Sequence, residues 1–405
     1  MRIFVVNCGS SSIKYQLFNM ADQSVLAKGL LERIGTATAR LHHSTNGNGG
    51  NNHSQREVAA PNHTEGLKII LEALTDPKAG VLASIDEIDG VGHRVVHGGE
   101  ETTASARIDE RLIALIRRNI DLAPLHNPPN LAGIEAAMGN IRKATHVAVF
   151  DTAFLSTLPP VAYRYAVPND WYAKHHVRRY GFHGTSHRYV TLRTAELFGK
   201  SLDKVNLITC HLGNGCSMTA VANGKAVDHS MGMTPLEGLV MGTRCGDLDP
   251  AIVLRMIGLG MSPAEVDNTL NKGSGLLGLS ELSNDMRDLL AAAEAGNEKA
   301  QLAVEVFVYR VAKYIGAYFT ILPGLDAVVF TGGIGENSVP VRRKICQHLS
   351  RLGAVLDETR NHQAVGGITG PITTGDSRLP VWVVPTNEEL MIARDTAAIV
   401  GGEAR

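Results

Sequence analysis

The stretch VVNCGSSSIKYQLF, residues 5–18, runs an apolar strand into Gly9-Ser10-Ser11-Ser12 and leaves it through Ile13, Tyr15 and Leu17 at alternate positions. That alternation around a glycine-led polar bend predicts a β-hairpin. Two hundred residues later, NLITCHLGNGCSMTAV (206–221) repeats the layout of strand, glycine-containing turn and strand, with Asn7 and His211 at matching places. Two copies imply two similar domains. Bends of this kind aim several backbone N–H groups at one point, a nest that suits a phosphate oxygen. Plain scaffold hairpins would look the same, so the repeat leaves both readings open.

The 405 residues are 44% hydrophobic and 20% charged, enough for a sizeable core and two or three domains. A net charge of -1 offers no basic field to nucleic acid, so a bound anion has to be held locally. Five cysteines, Cys8, Cys210, Cys216, Cys245 and Cys346, are odd in number and lack a CxxC pair, which predicts reduced thiols in the cytoplasm. The start Met1-Arg2-Ile3-Phe4 has no signal-peptide layout, and the apolar stretch 304–322 is interrupted by Glu305, Arg310 and Lys313, so no membrane partner is expected.

Residues 41–65, rich in Asn, Gly and His, read as a surface loop or hairpin tip, without spacing that would organise the histidines around a metal. Elsewhere Leu112, Leu115, Ile116 and Ile120 mark one helix and Phe307, Val311, Ile315 and Tyr318 another. The runs 327–330 and 381–384 read as strands followed by turns and helices, an α/β pattern.

Several motifs carry chemistry. FTGGIGEN (330–337) brings glycines 332, 333 and 335 to a strand end before a helix with Ser338 as cap, which lets backbone approach a flat ligand or phosphate, or simply makes a tight turn. It is neither a Walker A loop nor a dinucleotide fingerprint. In PTNEELMIARD (385–395), Thr386 and Glu389 have capping-box spacing, leaving Glu388 as a candidate Mg²⁺ contact or a solvated first-turn acid. Asp151 in FDTAF (150–154) follows an apolar run, where an acid is either ligand-facing or an N-cap. In RRYGFHGTSHRYV (178–190) Ser186 resembles an N-cap, which frees His183 in the preceding loop, and Gly184 weakens a zinc reading of His183 with His187. Arg94 in GHRVVHGG (92–99) and Arg244 in GLVMGTRCGDLDP (238–250) sit among apolar and glycine residues, placed to grip carboxylate or phosphate oxygens or to form structural salt bridges. PLHNPPN (124–130) reads as a rigid, proline-locked loop.

Together, NCGSSSIK, GHRVVHGGE, PLHNPPN, FDTAF, RRYGFHGTSH, HLGNG, SMGMTPLEGLVMGTRCGDLDP, FTGGIGEN and PTNEEL occur in an order that resembles the acetate and propionate kinase family, of the actin, sugar kinase and Hsp70 superfamily. The likeness spans essentially the whole chain, with 41–65 least typical. It implies two actin-like (ribonuclease H-like) α/β domains with mixed sheets flanked by helices and the active site in the cleft between them. The domains would be 1–151, completed by a C-terminal helix 386–405, and 152–385, which would carry the nucleotide site and a homodimer interface. The implied activity is reversible Mg²⁺-dependent transfer of the ATP γ-phosphoryl group to acetate, giving acetyl phosphate and ADP, with Mn²⁺ able to replace Mg²⁺. Propionate or another short-chain acid is the alternative acceptor. A nucleotide-binding scaffold without a carboxylate site and a hydrolase using Cys8 or Ser10 are readings from other classes; the compact Arg94 and Val96 segment argues against the first, and the second lacks a matching base and acid.

The resemblance also implies roles residue by residue. Asn7 and Glu388 would bind the metal, and Lys14 would lie near the nucleotide phosphates. Arg94 would bind the acyl substrate, with Val96, Leu125, Phe182 and Pro235 around its methyl group. Asp151, His183 and Arg244 would be catalytic. His211, Leu212, Gly213, Asn214 and Gly215 would hold phosphate, Asp285, Met286 and Arg287 the adenosine side, and Gly333, Ile334, Gly335, Glu336 and Asn337 the second nucleotide loop. Two departures are visible: Leu155 stands where the family usually has His, and His229 where Thr is usual.

Overall fold

In the computed structural model, which describes residues 1–36, 38–47 and 50–402, the chain divides into two compact units, Met1–Ala153 with Asn387–Arg405 and Phe154–Thr386. The first contains β1 (Arg2–Cys8), β2 (Ser12–Asn19), β3 (Ser24–Glu32), β4 (Ala39–Gly47), β5 (Gly50–Val58), β6 (Gly90–Val95), β7 (Ala106–Arg107) and β8 (Thr145–Phe150). These form one sheet in the order β5-β4-β3-β2-β1-β6-β8-β7. The second contains β9 (Leu207–Leu212), β10 (Cys216–Ala222), β11 (Lys225–His229), β12 (Ala327–Thr331), β13 (Gly370–Pro371) and β14 (Val381–Val383), ordered β11-β10-β9-β12-β14-β13.

Each sheet, taken by itself, is built on the same pairing pattern. In each, a hairpin pairs antiparallel, β1 with β2 and β9 with β10, and its first strand then pairs parallel with a later strand, β6 or β12. A third antiparallel strand flanks each hairpin, and a second parallel strand follows, β8 or β14. The repeat seen in 5–18 and 206–221 is therefore the nucleus of both mixed sheets. β12 is buried along its whole length and β8 along all but its first residue, the pattern of strands covered on both faces. Helices Asn127–Asn140 and Glu388–Val400 pack on β1 and β6, and Gly184–Leu197 packs on β9.

Several local expectations change. Strands β4 and β5 pair antiparallel, in keeping with a hairpin rather than a loop, and Asn62 caps a helix that already starts at His63, so the described part of 41–65 is mostly regular structure; positions 48 and 49 lie outside the described residues. Ile120 falls in a separate 3-10 turn because helix Glu110–Arg118 ends at Asn119. The proline-locked loop is half helix: Pro128 and Pro129 occupy the first turn of Asn127–Asn140, where a missing N–H costs nothing. The final helix runs Glu388–Val400 rather than across 386–405, since Asn387 caps its start and Gly402 turns left-handed after its end; 403–405 lie outside the described residues.

Candidate active site

The first unit gathers charged groups at the C-terminal ends of its parallel strands, where ligands bind in open α/β sheets. Arg94, near the end of β6, donates from Nη2 to Asp151 Oδ2 at 2.7 Å, and Asp151 directly follows β8. The salt-bridge and ligand readings of Arg94 both retain support, because Nε is buried without a hydrogen-bond partner among the described residues. Burial opposes the Arg94 charge, but Asp151, Glu388 and Glu389 outweigh it and the net shift is upward. Asn7 in β1 faces Lys14 in β2 across the hairpin, and Lys14 is ion-paired with Glu389.

That ion pair replaces the expected capping box. Asn387, not Thr386, is the N-cap, its side chain accepting from the Leu390 N–H, so Glu389 is released towards Lys14. Burial pushes the Glu388 carboxyl up to about 7, with Arg94 opposing and Asp151 adding to the shift.

Two asparagines that the sequence reading did not single out set the loop after Arg94. Asn130 accepts from the Val96 N–H at 3.0 Å and donates to the Cys8 carbonyl at 2.9 Å, while Asn127 bonds both the N–H and the carbonyl of His97. Their presence in PLHNPPN was the available signal. Val96 is buried, whereas Leu125 is 67% exposed.

In the second unit the chain turns through Gly181 at φ 75° and His183 at φ 59° before helix Gly184–Leu197. His183 is itself the N-cap residue, which corrects the placement of the cap at Ser186. Ser186 lies buried in the first turn, bonded to His211 Nδ1 and Thr386 Oγ1 at 2.8 Å each. A left-handed non-glycine residue costs on the order of 1–3 kcal/mol and tends to mark a functional turn. Opposite it, the HLGNG turn closes with Gly213 N–H donating to the Gly215 carbonyl. A Cβ on Gly215 would lie 3.2 Å from His183 Nε2 and 3.6 Å from Arg244 Nη1, so glycine leaves both side chains room at one spot. Arg244 also donates from Nη1 to the Pro235 carbonyl at 3.3 Å, and burial lowers its pKa.

A cavity of about 580 Å³ opens beside this turn, lined by Gly213, Asn214, Asp285, Met286, Arg287, Gly333, Ile334 and Asn337, with Asn284, Leu290, Ser338 and Pro340. The structure thus brings together three separate predicted segments. Asp285 caps helix Met286–Glu294, and its carboxyl is lowered to about 2 by hydrogen bonds from Arg287. Leu212 is buried in the core and contributes through its backbone, against which Gly332 packs.

The second glycine loop is a short helix, Gly332–Asn337, not an open loop. Glu336 folds back on it, accepting from the N–H groups of Gly332 and Thr386 at 2.9 and 3.0 Å. Ser338 occupies the next N-cap position without a side-chain capping bond. Sequence reasoning missed Arg342, whose fully buried guanidinium donates to the Gly335 and Glu336 carbonyls and to Asn361, tying down the end of that helix. The two departures meet at one point. A Cβ on Gly181 would touch Leu155 and His229 at 2.5 Å each, and His229 Nε2 accepts from the N–H of buried Phe182.

The chain is a phosphotransferase with a carboxyl group as acceptor, as its relatives are along its whole length. It belongs to the Acetokinase family, whose model matches residues 2–394. It is 54% identical over 402 residues to the acetate kinase of Thermotoga maritima, an alignment covering 99% of each chain. Its fold is similar to the crystal structure of Porphyromonas gingivalis acetate kinase, with a TM-score of 0.93, 46% identity and 98% and 99% of the two chains covered. A propionate kinase from Francisella tularensis is similar at TM-score 0.90 and 41% identity, with the same coverage.

Proposed function

We propose that this chain transfers the γ-phosphoryl group of ATP to acetate, reversibly, giving acetyl phosphate and ADP. The observation that carries the reading is the convergence of His183 and Arg244 on Gly215, in the turn whose Gly213 and Asn214 line the large cavity. Acetate is already an anion at neutral pH and needs no base. The barrier is electrostatic: a carboxylate has to approach a polyanionic phosphate, and alignment with charge neutralisation accelerates such transfers.

In this reading Arg94 binds the acetate carboxylate through its unpartnered Nε, with Asp151 fixing the guanidinium and Val96, Leu125, Phe182 and Pro235 bounding the methyl group. The cavity takes the nucleoside, and the backbone of 211–215 and 333–337 receives its phosphates. His183 and Arg244 then meet the charge on the transferring group.

Mg²⁺ fits the donor set: Asn7 and Glu388 offer hard oxygens, Asp151 would orient the metal or its waters, and a carboxyl raised to about 7 by burial gains from an adjacent cation. Mg²⁺ needs only one or two protein carboxylates when phosphates complete its shell. Bound there, it would neutralise phosphate charge, and Mn²⁺ would substitute.

We further infer a cytoplasmic homodimer. All five cysteines are free, no helix among the described residues is long and apolar enough to cross a membrane, and helix Ala251–Gly258 exposes Ile252, Leu254 and Ile257. The deciding experiment is a hydroxamate assay for acyl phosphate with ATP, Mg²⁺ and acetate. Acetyl hydroxamate is expected, and its absence across pH and metal would return the chain to the scaffold reading.

A further inference from the structure

We infer that Ser217 and His187 form a positioning relay that holds His183 with its proton on Nδ1, so that the Nε2 edge is presented at Gly215. The inference rests on the proposed role of His183 at the phosphoryl group. Ser217 is fully buried in β10, and its Oγ lies 2.9 Å from His183 Nδ1 and 2.7 Å from His187 Nε2. A hydroxyl has one proton, so between two ring nitrogens it donates to one and accepts from the other.

The far end of the chain sets the direction. Thr209 Oγ1 donates to the Thr219 carbonyl at 3.4 Å, an acceptor that cannot reverse, and so accepts from His187 Nδ1 at 2.7 Å. His187 is fully buried beside His229 and His211, and burial followed by those neighbours depresses its pKa well below the usual value. It is therefore neutral, with its proton on Nδ1 and a bare Nε2 that accepts from Ser217. Ser217 in turn accepts from His183 Nδ1–H. The partner of one ring nitrogen decides the state of the other.

This direction matters for charge. An imidazolium donates from both nitrogens, and only a Ser217 that accepts can serve its Nδ1–H. The opposite direction would aim the Ser217 proton at His183 and hold the ring neutral. The relay thus lets His183 be cationic where its Nε2 and Arg244 Nη1 approach Gly215. Ser217 and His187 are positioning residues, acting through His183.

The test combines kinetics with ¹⁵N NMR of histidine-labelled enzyme, the His183 signal being assigned with His183→Gln. In the wild-type protein His183 is expected to be protonated at Nδ1, and Ser217→Ala to lose that signature. With Ser217→Ala, kcat should fall about 10- to 100-fold, by analogy with the loss of a hydrogen-bond partner that orients a metal-bound histidine. KM for ATP and acetate should stay within about twofold, since the loss is confined to the transition state. Ser217→Thr, which keeps the hydroxyl, should restore most of kcat. ADP binding and thermal melting serve as fold controls. An unprotonated Nδ1 in the wild-type enzyme, or wild-type kcat in folded Ser217→Ala, overturns the relay. Full activity in His183→Gln would instead sink the catalytic reading of His183, while the NMR signature still decides the tautomer.

Discussion

Arg94 and Asp151 are bonded across the ends of neighbouring parallel strands, Nη2 to Oδ2 at 2.7 Å, while the Asp151 N–H donates to the Val95 carbonyl at 2.9 Å. Strand register therefore presets a guanidinium against a carboxylate that is almost wholly buried. Replacing Asp151 with Ala should lower kcat by about 10² to 10³-fold, the scale for removing a preorganised electrostatic contact. Steady-state kinetics with hydroxamate detection checks this.

Among the described residues Arg244 forms no salt bridge; the Pro235 carbonyl and the Met241 sulfur hold it. Its charge is thus available to a ligand anion. Arg244→Ala is expected to cost a similar 10² to 10³-fold in kcat, and turnover like wild type would remove Arg244 from the mechanism.

Gly332 adopts φ 74°, and a Cβ there would come within 2.8 Å of the Leu212 carbonyl oxygen. Gly332→Ala should destabilise the protein by about 1–3 kcal/mol and raise KM for ATP more than KM for acetate. Urea titration and separate KM measurements test the two halves of the prediction.

Stability should fall as pH drops below about 6.5. His93, His187 and His229 are buried, and burial first of all depresses each pKa well below its usual value. Unfolding exposes them to take up protons, so the folded state is favoured above the unfolded pKa and loses that advantage as pH falls. Each contributes a slope of up to about 1.4 kcal/mol per pH unit. Urea melts from pH 7.5 to 5.5 should show this decline, and a flat profile would contradict it.

Acetate should exceed propionate in kcat/KM, because Val96 is buried and bonded through Asn130 and has little freedom to retreat. One methylene is worth only about 1–3 kcal/mol, so propionate should remain a slower substrate. A clear preference for propionate reverses the assignment.

Much of this was legible in the chain. The 5–18 and 206–221 hairpins announced two sheets because short apolar strand runs on either side of a glycine-containing bend are local properties. The glycine segments at 213–215 and 333–337 were recognisable for the same reason, and the structure sets both on one cavity. Local signals failed where two cap candidates stood close together: Asn387 prevailed over Thr386, and His183 over Ser186. In both cases distant groups decided, Glu336 with Ser186 holding Thr386, and His211 with Thr386 holding Ser186.

The sequence by itself determined the repeated hairpin, the family and the charged residues available for chemistry, since each is written in composition and short-range pattern. Only tertiary structure decided which nitrogen meets which oxygen. Asn130 reaches Cys8 across 122 positions, Ser186 reaches Thr386 across 200, and Ser217 stands between two histidines on another element. Hydrogen bonds are directional and close to 3 Å long, so partners far apart in the chain are fixed only once the sheets and helices have packed.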